Sequence, residues 1–129
     1  MAKMVIFSAV NGRVMQDGVP VAGAVVERKF NWGWKSESGT DRTSTDSNGN
    51  FALPAVERSS MLGSFLPHEV VIDQTLVIQH GGKTFKAWAL FKRDYDLNSE
   101  LDGKPIRVTC RLESAPARRG KVFGICEFD

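Results

Sequence analysis

The sequence predicts an all-β protein, an antiparallel β-sandwich of about seven strands with Greek-key connections. Several runs alternate apolar and polar residues with the period of two that half-buried strands show. Clusters of Gly, Asn, Asp and Pro separate these runs at short intervals, and almost no stretch has a helical period. With 129 residues, the chain is predicted to form one domain over residues 1–129, because this length can bury roughly two thirds of the unfolded surface around one core.

The first two strands are predicted on either side of a turn at Asp17-Gly18. Val5–Met15 is the first strand, broken at Gly12, and extended structure resumes over Val21–Phe30. Arg28 interrupts the apolar side of the second strand. Its guanidinium is expected either to leave the sheet at an edge or to pair with an acidic residue, with ligand binding as the alternative.

A polar segment follows. Asn31–Thr40 is predicted to be a loop, and Asp41–Thr45 a short edge strand whose polar residues oppose pairing with other chains. Asp46–Gly49 is a turn that places Gly49 at positive φ and leads into an apolar strand. Glu57–Pro67 is predicted to be a short helical turn or an ordered loop, with a serine as N-cap.

The clearest hairpin joins Val70–Gln79 to Lys83–Phe91, because Gly81-Gly82 offers the two residues of a type I′ turn and predicts a positive φ at Gly82. Unless a bulge intervenes, side chains alternate between the two faces. The expected inward pairs are Ile78 with Phe85 and Leu76 with Ala87, and Ala89 and Phe91 continue the same core face. The expected outward residues are Val77, Lys86, Trp88 and Leu90.

The last two strands are predicted at Ile106–Glu113 and Lys121–Phe128, after a charged connection, Lys92–Lys104, that has room for a turn of helix. Strand parity points both cysteines, Cys110 and Cys126, to the core, where antiparallel pairing would bring the sulfurs together. They are expected to be buried thiols in a reducing compartment or a disulfide in an oxidising one.

The catalytic and metal-binding motifs that we sought do not occur in the sequence. His68 and His80 have no metal-ligand spacing, and no nucleophile elbow or phosphate loop is present. A net charge of +2 is too small to argue for nucleic acid. We therefore expect no enzymatic activity, no metal and no cofactor. With neither a signal peptide nor a membrane-spanning stretch in the sequence, the expected compartment is the cytoplasm, or the periplasm if a leader has been removed.

The tryptophans are the best candidates for a binding site, because interfaces favour this residue type. Trp32 has the parity of a core residue. Trp34, in a loop, and Trp88, on the outward face, each either pack under a loop or contact a partner. The predicted partner-binding surface consists of Trp34, Lys86, Trp88 and Leu90.

The pattern Gly12-x-Val14, Gly18-x-Pro20-Val21-x-Gly23-Ala24-x-Val26 and Thr45-Asp46-x-x-Gly49-x-Phe51 resembles the transthyretin-like, or carboxypeptidase-regulatory-like, β-sandwich modules. This resemblance implies the fold and says little about function. The whole chain, with LPHE at Leu66–Glu69, KRDYD at Lys92–Asp96, GKP at Gly103–Pro105 and GIC at Gly124–Cys126, is similar to short stand-alone bacterial proteins built on this module, some of them encoded near type VI secretion clusters.

The second resemblance implies a protein-binding immunity or accessory protein that neutralises a cognate secreted effector, with no contact to nucleic acid and no membrane insertion. A carbohydrate- or surface-binding module, with Trp34 and Trp88 as stacking platforms, is the alternative. A hydrolase of the transthyretin-like type comes third. Those hydrolases end in Tyr-Arg-Gly-Ser, whereas this chain ends in Ile-Cys-Glu-Phe-Asp. The zinc domain of metallocarboxypeptidases does not occur in this sequence.

Overall fold

The computed structural model describes residues 2–60 and 66–129 of this all-β protein. Thirteen strand segments and one 3-10 turn at Ser99–Leu101 account for its regular structure. Two large sheets and a two-stranded ribbon share one hydrophobic core. The predicted β-sandwich is thereby confirmed, but the number of strands, predicted as about seven, is wrong. Predicted strands such as Lys121–Phe128 divide between the two sheets. The predicted turn of helix after Lys92 is present.

The strands are, in chain order, β1 (Ala2–Phe7), β2 (Val10–Gln16), β3 (Val19–Pro20), β4 (Val25–Trp32), β5 (Glu37–Ser44), β6 (Asn50–Leu53), β7 (Val56–Ser60), β8 (Ile72–His80), β9 (Lys83–Lys92), β10 (Ile106–Arg111), β11 (Ala117–Arg119), β12 (Val122–Gly124) and β13 (Cys126–Phe128).

The larger sheet has six strands in the order β11-β12-β9-β8-β4-β5. The smaller one has five, in the order β13-β10-β2-β3, with β6 also paired to β2. Strands β1 and β7 form the ribbon. All described pairs are antiparallel except β2 with β10, which run parallel. Each large sheet has an inner face on the core and an outer face with more exposed side chains.

The N-terminal strand is divided at a different place from the one predicted. The break lies at Ser8 and Ala9, between β1 and β2, and Gly12 lies inside β2. A Cβ atom at Gly12 would come within 2.4 Å of the Phe51 ring. Gly12 is thus needed for close packing against that ring, and the chain turns instead at Ser8, whose backbone and side chain both bond to Glu100.

The segment predicted as a helical turn over Glu57–Pro67 begins as a strand, so that prediction is wrong for residues 57–60. Strand β7 pairs with β1 through Arg58 opposite Met4, because an extended chain here completes the ribbon. Residues 61–65 lie outside the described part of the chain. The predicted loop over Asn31–Thr40 shortens to Gly33–Ser36, and β5 is an edge strand, as predicted.

The β8–β9 hairpin contains the most consequential departure, a β-bulge. Ile78 lies opposite Phe85 as predicted, but Leu76 lies opposite Trp88 because Ala87 is an extra residue. Because of the inserted residue, each later side chain of β9 points to the face opposite the one predicted. Trp88 is 0% exposed and Leu90 is 5% exposed, so the prediction that they face outward is wrong.

The bulge coincides with close backbone contacts from the end of β12 and the residue that follows it. The Ile125 N–H donates to the Lys86 carbonyl at 3.1 Å, which takes up a backbone acceptor of β9 at this point. Gly124 approaches so closely that a Cβ there would lie 2.1 Å from the Ala87 carbonyl oxygen. The turn glycines follow the sequence prediction, with φ of 79° at Gly49 and 75° at Gly82.

The two cysteines form a disulfide. Strand β13 places Cys126 directly opposite Cys110 on β10, with the Cα atoms 4.0 Å apart. Both residues are buried, which confirms the inward parity. Of the two states left open by the sequence, the structure has the bonded one.

A buried polar network holds the connection after β9 against the core. Glu100 is buried, and its carboxylate accepts hydrogen bonds from Ser8 and from Gln74 Nε2 at 2.9 Å. The buried Lys92 ammonium lies 3.7 Å from Glu100 and donates to the Asp96 carbonyl. Gln74 Oε1 accepts a hydrogen bond from the Trp88 indole at 3.1 Å. This network joins both ends of the connection to the inner face of the larger sheet.

Candidate functional site

The four residues predicted to bind a partner do not form one surface. Trp88 and Leu90 belong to the core. Trp34 is half-buried in the turn between β4 and β5, whereas Lys86 is exposed on the outer face of the larger sheet. The structure therefore separates the prediction into two regions.

The first region is an aromatic cluster of Trp32, Trp34, His68 and Tyr95, here called the Trp34 cluster. The imidazole of His68 stacks on Trp34 with centroids 3.8 Å apart and planes at 10°. The Lys35 ammonium lies over the same indole, 4.6 Å from its centroid. Trp32 meets Tyr95 edge-on. Three loops thus meet around the Trp34 indole, which already has partners within the chain.

Hydrogen bonds fix the cluster's polar atoms. The Leu66 carbonyl can only accept, so His68 Nδ1 donates to it at 2.7 Å. When the imidazole is neutral, Nε2 accepts from the Tyr95 hydroxyl at 2.8 Å, and that oxygen accepts from Trp32 Nε1 at 3.1 Å. Burial raises the pKa of the Tyr95 phenol, while the bond from Trp32 opposes the rise. These hydrogen bonds therefore hold the three loops together. A structural role is enough to explain them.

A depression of about 480 Å³ lies beside this cluster, between β5 and β7. Its wall contains an Arg58–Glu37 ion pair, with Arg58 Nε 3.1 Å from one carboxylate oxygen. The hydrogen bonds from Arg58 hold the pKa of Glu37 below its ordinary value, against a smaller effect of burial. The Arg58 guanidinium is already neutralised, which leaves Lys35, whose ammonium lies over the Trp34 ring, as the other cation of the lining.

The second region is an apolar strip on the outer face of the larger sheet, formed by Ala89, Phe91 and Phe123 and here called the phenylalanine ridge. Phe123 on β12 lies directly opposite Ala89, and Phe91 follows on the same face of β9. Phe91 is 57% exposed, although the sequence pattern placed it in the core. The bulge at Ala87 turns it outward.

Two cations border the ridge. The Lys86 ammonium lies over Phe123, 5.7 Å from the ring centroid, and Arg118 on β11 lies opposite Phe123. Both side chains are exposed, and neither forms an ion pair within residues 2–60 and 66–129. The acidic residue that the strand register places beside the ridge is Asp73, which lies opposite Phe91. The ridge thus combines exposed aromatic area with unpaired positive charge.

Arg28 is a structural residue. Its guanidinium is 1% exposed and holds both oxygens of Asp41, at 2.9 and 2.7 Å, across β4 and β5. It also lies over the Phe7 ring, at 5.1 Å. The acid pairing predicted from the sequence is therefore present, between a buried guanidinium and an Asp41 side chain that is 43% exposed on the edge strand β5.

The described residues contain no group of three His, Cys, Asp or Glu side chains arranged to hold a metal ion. Within the same residues, no helix is long and apolar enough to cross a membrane.

Searches of curated proteins and of solved structures return no match to this chain. Residues 10–115 match a family described as a domain of unknown function, DUF6795. Since the match spans most of the sequence, the chain belongs to the DUF6795 family.

Proposed function

We propose that the protein is a non-enzymatic binding module, and that its partner is another protein that docks on the phenylalanine ridge. The observation that carries this proposal is the exposed Phe91 ring, continuous with Ala89 and Phe123. Single exposed apolar residues are common on protein surfaces, whereas an aromatic strip bordered by unpaired cations has the composition of an interface centre.

The ridge supports a protein partner better than it supports a sugar. A sugar-stacking platform needs a free aromatic face, and the residues proposed for that role were Trp34 and Trp88. Trp88 is buried, and the Trp34 ring is covered by His68 and Lys35. The exposed Phe91 ring, together with Phe123 and the two cations beside it, instead favours apolar contacts combined with charge pairing.

The resemblance to short bacterial proteins encoded near secretion clusters supports a more specific form of the proposal. In it, the protein is an immunity or accessory protein, and the partner is a cognate secreted effector. Products of genes adjacent to its own are then the first candidates. Co-expression with an effector should relieve that effector's toxicity if the specific form is right.

The test compares Phe91→Ala with a matched control, Val19→Ala. Val19 is 63% exposed but lies on β3 in the smaller sheet. With a partner obtained from the adjacent genes, Phe91→Ala should weaken binding at least ~10-fold, as loss of an interface anchor does, while Val19→Ala changes it little. Binding can be measured by calorimetry and folding by thermal unfolding. Unchanged affinity of a folded Phe91→Ala protein would show that the ridge is not the docking site.

A further inference from the structure

A polar groove of about 450 Å³ crosses the outer face of the smaller sheet, on the opposite side of the core from the ridge. Backbone at Gly12 forms part of its floor, where β2 and β10 run side by side. The walls carry two arginines, two amides, a hydroxyl and one carboxylate, from Arg13, Arg107, Asn11, Asn50, Thr109 and Asp129. This volume is in the range of small-molecule sites.

The two arginines are placed to act together. Arg13 pairs in register with Thr109, and Arg107 lies two residues before Thr109 on β10. Strand spacing and rise put the two arginine Cα atoms about 8 Å apart on one face, so both guanidinium groups can reach a single ligand group between them. Carboxylate and phosphate groups are the ligands that a guanidinium binds in bidentate fashion.

Neither arginine has an acidic partner within the described residues. Arg13 Nε donates only to the Asn50 side-chain oxygen, at a long 3.4 Å. By contrast, Arg111 on the same strand as Arg107 has Glu127 at 3.8 Å. The Asp129 carboxylate at the rim accepts from the Thr109 hydroxyl at 3.0 Å. Neither guanidinium is thus held by a carboxylate, and both are available to an anionic ligand.

The rest of the lining indicates what carries the anionic group. Val108 is buried, and the other lining side chains are polar, with no aromatic ring for a base to stack on. Asn11 and Asn50 both donate and accept, which suits neighbouring hydroxyl groups. We propose that the groove binds an acidic sugar, with the carboxylate or phosphate between Arg13 and Arg107 and the hydroxyls on the asparagines. This site is separate from the protein-binding ridge and does not depend on it.

The experiment is a titration of the whole protein, followed by amide chemical shifts and by calorimetry at low salt. The probes are glucuronate and glucose 6-phosphate, with glucose and inorganic phosphate as controls that each lack half of the recognised chemistry. At least one acidic sugar should bind saturably with shifts centred on the groove strands, and glucose and phosphate should bind at least ~10-fold more weakly. The tighter of the two acidic sugars shows whether the groove prefers a carboxylate or a phosphate group.

Variants then assign the contacts. Arg13→Ala and Arg107→Ala should each lower affinity at least ~10-fold, since each removes charge-assisted hydrogen bonds to the bound anion. Arg107→Lys keeps the charge without the planar fork and should fall between Arg107→Ala and the unaltered protein. Arg42→Ala, which changes an exposed arginine on β5 of the other sheet, is the matched control and should bind normally. All three positions are solvent-facing, and unchanged melting temperatures would verify folding.

Three results would overturn the proposal. One is the absence of saturable binding by either acidic sugar up to about 10 mM, the weak end of specific recognition. A second is normal affinity in Arg107→Ala or Arg13→Ala. The third is inorganic phosphate binding as tightly as glucose 6-phosphate, because the sugar would then contribute nothing.

Discussion

Replacing Trp88 by alanine tests the register of the bulged hairpin. The Trp88 side chain is fully buried, with Phe7 and Phe128 rings each 6.3 Å away between centroids. Its indole N–H is bonded to Gln74 Oε1. Removing it opens a large cavity and also leaves a buried acceptor without its donor.

The expected cost follows from those two losses. Aromatic-to-alanine changes in cores cost about 3–5 kcal/mol, and an unsatisfied buried acceptor adds about 1–3 kcal/mol. Domains of this size are stable by only about 5–15 kcal/mol, so Trp88→Ala should lose about half of the free energy of unfolding or more. Urea unfolding followed by far-ultraviolet circular dichroism measures this without relying on tryptophan fluorescence.

Two control variants separate the contributions. Trp88→Phe keeps most of the ring volume but removes the N–H donor, so it should cost clearly less than Trp88→Ala. Trp34→Ala removes a half-exposed indole and should also cost less. If Trp88→Ala lost under about 1 kcal/mol, the side chain would not be in the core, and the register described for β8 and β9 would be wrong.

Two further predictions concern buried links. Glu100→Gln leaves the buried Lys92 ammonium without its buried acid and should cost about 3–5 kcal/mol in urea unfolding, partly recovered by adding Lys92→Met; a loss below about 1 kcal/mol would contradict the buried ion pair. Changing both Cys110 and Cys126 to alanine should lower stability by about 3 kcal/mol, because the disulfide closes a loop with a sequence separation of 16 residues. The same melting temperature with and without reductant in the unaltered protein would contradict this second expectation.

The strand pattern predicted much of the fold because the relevant forces act locally. Alternation across β4 places Val26, Phe30 and Trp32 on the inner face, where all three are buried. Gly81 and Gly82 give the hairpin turn because both adopt positive φ, which glycine tolerates. Such features depend on residues next to each other in the chain.

The bulge at Ala87 could not be predicted in the same way. It coincides with the hydrogen bond from Ile125 to the Lys86 carbonyl and the close approach of Gly124, both from a segment that follows much later in the chain. No residue in β9 itself marks the insertion. Parity arguments fail beyond such a point, which explains why Trp88 and Leu90 were assigned to the wrong face.

The candidate site was predicted only in fragments for a related reason. Residue type and position identify Trp34 and Lys86; Lys86 is exposed, whereas Trp34 is half-buried with its ring covered by His68 and Lys35. The contacts of His68 and Tyr95 with the Trp34 indole depend on loops brought together by the fold. Phe91 was missed because its exposure follows from the bulge.

A single inserted residue therefore connects the core to the proposed interface. Without the bulge, Trp88 would face solvent and Phe91 the core; with it, the two aromatic residues exchange places. The stabilities of Trp88→Ala and Phe91→Ala therefore test the register together, because only one of the two side chains can be in the core. A neutral Trp88→Ala together with a strongly destabilised Phe91→Ala would indicate the unbulged register and remove the ridge. A destabilised Trp88→Ala protein together with a stable Phe91→Ala protein would place Phe91 on the surface. A loss of partner affinity in Phe91→Ala would then report on binding and not on folding.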